Sequence, residues 1–344
     1  MHPRRPTVVY VHGIGNKVRP ELLKSQWDQA LFGRDMAGAS RMAYWAALRY
    51  EKPLPDFRPD PLDGAPVAYA ESAGAAAETM TEMKESGRAA ESGLFAEPEE
   101  FVALTVSEAW RECGAVGLEG RGGEGRAGPD GERAVAEGAL VDWLRDMTYL
   151  AETLGSAETG GDAEGEDGGG ALPLELLPLP RPVRTAVFRE LARHTFRDVH
   201  AYFFGGAGPA IRGVVAKALD GLDGGPLVVV GHSLGSVVAY EVLRERGQEV
   251  ELLVTVGSPL AITEVQDQLA RPPAVPEGVL AWRNASDLRD LVALDHTLRP
   301  EFGPPERITD LLVTNDSGNH HGIGPYLSQP PVREPVQRIF DHLA

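Results

Sequence analysis

Pro226-Leu227-Val228-Val229-Val230 runs directly into Gly231-His232-Ser233-Leu234-Gly235, and then into Ser236-Val237-Val238-Ala239-Tyr240-Glu241-Val242-Leu243. An apolar, β-branched run bounded by a glycine reads as a buried strand, and the stretch after Gly235 reads as a helix. The five residues between them place a serine on a sharp strand-to-helix turn, where its hydroxyl stands clear of the backbone. The positions two residues either side must be small, so that strand and helix can pass closely, and Gly231 and Gly235 meet that demand. Ser233 is the candidate nucleophile. The helix start also aims unpaired backbone N–H groups at the place where negative charge builds up in acyl transfer, and Leu234 N–H is the expected donor.

A second stretch supports the first. Thr7-Val8-Val9-Tyr10-Val11 has the composition of a central parallel strand and empties into His12-Gly13-Ile14-Gly15-Asn16. Gly13 and Gly15 let the main chain approach a ligand, and Ile14 N–H is the expected second oxyanion donor. A strand followed by Gly-x-Gly also begins a dinucleotide site, but Val18 stands where the third glycine belongs. No Gly-Lys-Ser/Thr of a phosphate loop follows any glycine cluster. His12 reads as a histidine that hydrogen-bonds to hold this loop.

An acid and then a histidine should follow Ser233, each in a loop after a later strand. Val250 to Val256 is strand-like and ends in Gly257-Ser258-Pro259-Leu260. Val279-Leu280-Ala281-Trp282 opens another strand, which ends at Asn284 and is followed by Asp287, Asp290 and Asp295. Ile308 to Val313 leads into Asn315-Asp316-Ser317-Gly318-Asn319-His320-His321-Gly322. Asp295-His296 lies too early for its histidine to come from beyond a further strand, and reads as structural.

His12-Gly13-Ile14-Gly15, the turn at Ser233, Trp282-x-Asn284-x-x-Asp287-x-x-Asp290-x-Val292-Ala293 and His321-x-x-x-x-Tyr326-Leu327 together resemble the α/β-hydrolase superfamily. They are most similar to its lipase and serine-esterase branch, which includes GPI inositol-deacylase-like and DDHD-type phospholipase proteins. The likeness covers about residues 6–50 and 185–344. It implies a mostly parallel central sheet flanked by helices, with Asp290 as the acid and His321 as the base. Asp287 and His320 stand as the alternatives, and Gly13 and His232 as supporting residues. In the mechanism implied, Asp290 fixes the tautomer of His321, which takes the Ser233 proton and later returns one to the leaving group. That reaction calls for no cofactor and no metal ion. The long insertion before the nucleophile strand is the departure from the pattern, and substrate class does not carry over.

Composition sets the frame. A chain of 344 residues can bury a full core, and one catalytic domain with an insertion, 1–59 and 181–344 around 60–180, fits better than two unrelated domains. A formal charge of −18 argues against nucleic acid or an anionic membrane as partner. The single cysteine, Cys113, excludes an internal disulfide and a cysteine-rich zinc site. Strand sequence from Thr7 leaves no room for a cleaved signal peptide, and no 18-residue apolar stretch is long enough to span a bilayer. The expectation is a cytoplasmic protein with a small-molecule or lipid-like ester substrate.

The middle third differs in texture. Residues 60–113 are rich in Ala and Glu, as in Ala73 to Glu85, and read as helices. Gly/Glu/Asp-rich stretches at 114–131 and 155–170 bury too little apolar surface to offset ordering. Between them Leu140, Trp143, Leu144, Met147, Leu150, Ala151 and Leu154 share one helical face. The expectation is a helical cap over 60–180 whose apolar faces make a pocket. Leu172 to Pro180 is apolar but broken by proline, hence extended or loop. Pro182 to Phe204 then reads as one helix with Val183, Val187, Leu191, Phe196, Val199 and Phe203 inward. Three functions compete: a serine esterase or lipase; an acyltransferase, thioesterase or amidase with the same triad; and a non-catalytic binding or regulatory protein on a hydrolase scaffold.

Overall fold

The computed structural model describes residues 5–56 and 181–341, apart from 195, 223, 291, 294 and 319. The chain divides into two compact units, Met1–Ala65 with Ala201–Ala344, and Pro66–His200. Residues 181–200 thus group with the intervening segment. The expected cap, its Trp143 stripe, its two glycine-rich stretches and Cys113 lie outside the described residues.

Six strands form the sheet of the first unit: β1 (Thr7–Val11), β2 (Ser40–Ala43), β3 (Leu227–His232), β4 (Leu252–Val256), β5 (Trp282–Ser286) and β6 (Ile308–Leu312). Their spatial order is β2-β1-β3-β4-β5-β6, and every neighbouring pair is parallel. β1, β3 and β4 are β-branched, apolar runs because their residues face covered surfaces on both sides of the sheet. Val8 to Val11, Val228 to Val230, Leu253, Val254 and Val256 are all fully buried. β2 was not foreseen. Its sequence, Ser-Arg-Met-Ala, is short and has no apolar run, because an edge strand needs only part of its surface covered.

Alternation along the strands sends Val8, Tyr10, Val228, Val230, Val254 and Val256 to one face. There they meet α1 (Pro20–Phe32), α7 (Ile323–Ser328) and α8 (Pro330–Asp341), which pack on one another through Leu23, Trp27, Ile323, Leu327, Val332 and Phe340. α4 (Gly208–Leu219) and α5 (Leu234–Arg246) also pack together, and both contact β1. Each wholly buried aliphatic side chain contributes about 1.5–3 kcal/mol. A short helix, α6 (Thr263–Gln266), follows β4.

Upstream, the single helix expected over 182–204 is two: α2 (Arg181–His194) and α3 (Arg197–Phe203). In the sequence Val183, Val187 and Leu191 recur every four residues, whereas Phe196 comes five after Leu191.

The strand order reverses direction between β1 and β3. In open parallel sheets the crevice outside the carboxyl ends of the strands at such a point is where ligands bind. The register aligns those ends: Val11 lies opposite Gly231, His232 opposite Val256, and Val256 opposite Ala285. The residues that follow, His12, Ser233, Gly257 and Asp287, therefore leave the sheet along one rim.

Candidate active site

Ser233 bridges β3 and α5 with φ 53° and ψ −132°. A non-glycine residue in that region costs on the order of 1–3 kcal/mol, so its surroundings must hold it there. Its N–H donates to Val256 O at 3.1 Å, and Ser236 N–H donates to its carbonyl at 2.9 Å. Ser236 Oγ donates to the same carbonyl at 2.5 Å, which leaves Ser258 Oγ, 2.7 Å away, to donate to Ser236 Oγ. The flanking glycines are sterically required. A Cβ on Gly231 would lie 2.6 Å from Ser236 Cα, and one on Gly235 only 2.2 Å from Val11 O and 2.4 Å from His12 O. Among the described residues no side chain caps this end of α5, and with the Ser236 N–H already given to Ser233 O, the N–H of Leu234 at the helix start is the one that faces an anion there.

The loop after β1 presses on the same turn. A Cβ on Gly13 would sit 2.8 Å from Ser233 Cβ, and Ile14 follows it, half-buried. His12 fastens the loop. Its Nε2 accepts from the N–H groups of Trp45 at 3.0 Å and Ala46 at 3.2 Å, so the proton sits on Nδ1 and is donated to Gly13 O at 2.8 Å. Trp45 stacks on the ring, with centroids 4.5 Å apart, and its Nε1–H donates to His12 O at 2.8 Å. Burial, and then the Lys17 ammonium, push the imidazole down to about 3. A neutral ring with both nitrogens engaged does structural work.

His321 lies in the loop after β6, buried. Its Nδ1 meets Asp290 at 2.8 Å to Oδ2 and 3.0 Å to Oδ1. A carboxylate only accepts, so the proton in this bond sits on Nδ1. Asp290 also accepts from Val292 N–H at 2.9 Å and from the Tyr326 hydroxyl at 2.6 Å.

Two contacts bring this pair to the serine's turn. His232 Nε2–H donates to His321 O at 2.8 Å, and the two rings lie 4.5 Å apart. His321 also packs against Gly257, the residue after the Val256 carbonyl that receives the Ser233 N–H. Burial, and then the charge His321 carries when protonated, hold His232 well below the usual imidazole range. Among the described residues the Ser233 hydroxyl itself is not hydrogen-bonded. In ligand-free sites such bonds are commonly long and tighten when substrate binds.

The two alternative residues point elsewhere. Asp287 takes Arg289 N–H at 2.8 Å, the Arg289 guanidinium at 3.2 Å and Asn315 N–H at 2.6 Å. Burial opposes its ionisation, but the Arg289 guanidinium and these N–H groups outweigh burial and hold its carboxyl below the usual range. It ties the acid loop to the histidine loop. His320, at φ 55°, contacts Asn315 O at 3.0 Å through Nδ1. Trp282 and Asn284 meet through Thr255, whose hydroxyl accepts from Trp282 Nε1 and donates to Asn284 Oδ1, both at 2.9 Å. They brace β5, which carries the acid. Asp295 accepts from Thr297 N–H at 3.1 Å.

Tyr326 is the site neighbour to which sequence reasoning gave no role. In the sequence it serves only as part of the His321-x-x-x-x-Tyr326-Leu327 stretch that points to the histidine. Its hydroxyl donates to Asp290 and accepts from Asp287 N–H at 2.9 Å. Burial, then the Asp290 charge and the hydrogen bond to it, raise its hydroxyl far above the ordinary phenol range.

Comparison with protein-family models, with curated proteins and with solved structures returns no match. Among the described residues no helix is long and apolar enough to cross a membrane.

Proposed function

We propose that the protein is a serine hydrolase of the α/β-hydrolase fold that cleaves a carboxylic ester through an acyl-enzyme on Ser233. One observation carries the reading: a serine held at positive φ between β3 and α5, with an imidazole–carboxylate pair, His321–Asp290, seated against the same turn. Strain at a single serine, supported by glycines on both sides, matches a hydroxyl that must be presented to a substrate.

In the reaction, His321 Nε2 accepts the Ser233 proton as Oγ bonds to the ester carbonyl carbon. The oxyanion lies at Leu234 N–H and Ile14 N–H, each such donor typically worth about 3–4 kcal/mol. Collapse breaks the bond to the alkoxide, which takes the proton from Nε2. Water then repeats the sequence on the acyl-serine, transferring its proton through Nε2 back to Oγ. Asp290 stabilises the imidazolium formed in both halves. The parallel sheet, the site at its carboxyl rim and the order serine, acid, histidine all support this reading.

A fluorophosphonate probe tests it. Wild-type protein should be labelled at Ser233 and should hydrolyse activated esters, while Ser233→Ala should do neither and unfold at nearly the same temperature. Absence of labelling in folded wild type would overturn the proposal and favour a binding role for the scaffold. Product analysis across an acyl-chain ester panel, with and without an added alcohol or amine acceptor, separates hydrolysis from acyl transfer.

A further inference from the structure

We infer that Tyr326 is a positioning residue that sets the basicity of the His321–Asp290 pair; the inference rests on the function proposed above. Its hydroxyl occupies a junction. It donates to Asp290 Oδ2, the oxygen that also lies 2.8 Å from His321 Nδ1, and it accepts from the Asp287 N–H at 2.9 Å. The phenol is wholly buried, and α7 is anchored in the core by its neighbours Ile323 and Leu327. The Asp287 N–H can only donate and the Asp290 carboxylate only accept, so the direction of both hydrogen bonds is fixed.

The consequence concerns charge distribution. An O–H donor at 2.6 Å withdraws electron density from the oxygen that must also support the imidazolium. With the donor present, the carboxylate is a weaker acceptor towards Nδ1–H and supports the imidazolium less. The same hydroxyl, tied to the Asp287 main chain, holds the carboxylate plane against the ring. Tyr326 touches no reacting atom and acts only through Asp290.

Two variants test this, both with kinetics normalised to fluorophosphonate-titrated sites. Tyr326→Phe keeps the ring and removes the donor; replacement of Tyr326 by 3-fluorotyrosine keeps the shape and strengthens the donor. The Phe variant should lose about tenfold in kcat with KM unchanged, and the acid limb of its kcat/KM profile should move to higher pH. The fluorotyrosine variant should move that limb to lower pH.

The low-field proton resonance of His321 Nδ1–H gives an independent readout that needs no turnover. It should shift downfield in the first variant and upfield in the second. An acid limb and a resonance that stay in place in labelled, folded protein would overturn the inference. Should the Phe variant not fold, the fluorotyrosine variant decides alone. Failure of the hydrolase reading itself shows differently, as wild-type protein that takes no label.

Discussion

Gly257 and His321 are in contact so close that a Cβ at position 257 would lie 2.8 Å from both Nδ1 and Cε1 of the imidazole and 2.9 Å from Asp290 Oδ2. The backbone there has φ 53°, so a side chain is disfavoured by conformation as well as by space. Gly257→Ala should therefore push the imidazole off its carboxylate while leaving the sheet intact. A displacement near 1 Å costs on the order of 100-fold in rate. Overpacking costs about 1–3 kcal/mol in stability. Ester turnover and a urea melt on the same preparation check both. Wild-type kcat in Gly257→Ala would show that the ring is not held where this contact places it.

The two aspartates of the acid loop should separate cleanly. Asp290→Asn presents an amide to His321 and favours the wrong tautomer, so kcat should fall by about 10³–10⁴-fold with little change in folding. Asp287→Asn weakens the tie to Arg289 and Asn315, and should lower stability by about 1–3 kcal/mol while kcat stays within a few-fold. Steady-state rates and thermal melts of both variants provide the measurement. A larger kcat loss in the Asp287 variant would reverse the roles assigned to the pair.

How much of this was legible follows from what each residue answers to. β1, β3 and β4 declare themselves because strands covered on both faces are apolar throughout, and the turn at Ser233 declares itself because Gly231 and Gly235 respond to steric limits only a few residues away. β2 is hidden because its partners are remote: Ser40 donates to Asp28 of α1 at 2.8 Å, a bond no local pattern announces. The choice between Asp287 and Asp290 is equally remote. Both are buried acids three residues apart, and what separates them is whether the carboxylate accepts from Arg289 and Asn315 or from His321 and Tyr326. Tyr326 shows the limit most clearly, since a core aromatic on a short helix looks the same in sequence whether or not its hydroxyl meets a carboxylate.

Gly235 tests whether the serine's turn is a folding requirement. A Cβ there would overlap two backbone carbonyls, those of Val11 and His12, at 2.2 and 2.4 Å. Neither belongs to a flexible side chain, so relief requires β1 and α5 to separate. Even Gly235→Ala should cost several kcal/mol or abolish folding, a larger effect than typical overpacking at about 1–3 kcal/mol. Circular dichroism and a chemical melt would show it. A variant with wild-type stability and altered kinetics alone would mean that the close approach of strand and helix is not needed.

Stability should fall steeply in mild acid, because two wholly buried imidazoles are held neutral. Burial first, and then nearby positive charge, push His12 down to about 3 and His232 well below its usual range. The unfolded chain takes up these protons near pH 6.5, so between that pH and the folded value it binds more protons than the native state. The stabilisation is therefore complete above about pH 6.5 and is lost progressively as the pH falls towards 3. Each such histidine adds a slope of about 1.4 kcal/mol per pH unit within that window. Urea melts of wild type and a His12 variant between pH 7.5 and 5 read the His12 contribution by difference. His12→Gln should be less stable than wild type at pH 7.5, because the ring stacked on Trp45 and the Nδ1–H donor to Gly13 O are lost, yet its stability should decline with a slope shallower by about 1.4 kcal/mol per unit. Parallel curves for the two proteins would mean that His12 takes up its proton without unfolding, and that the loop after β1 is looser than its hydrogen bonds imply.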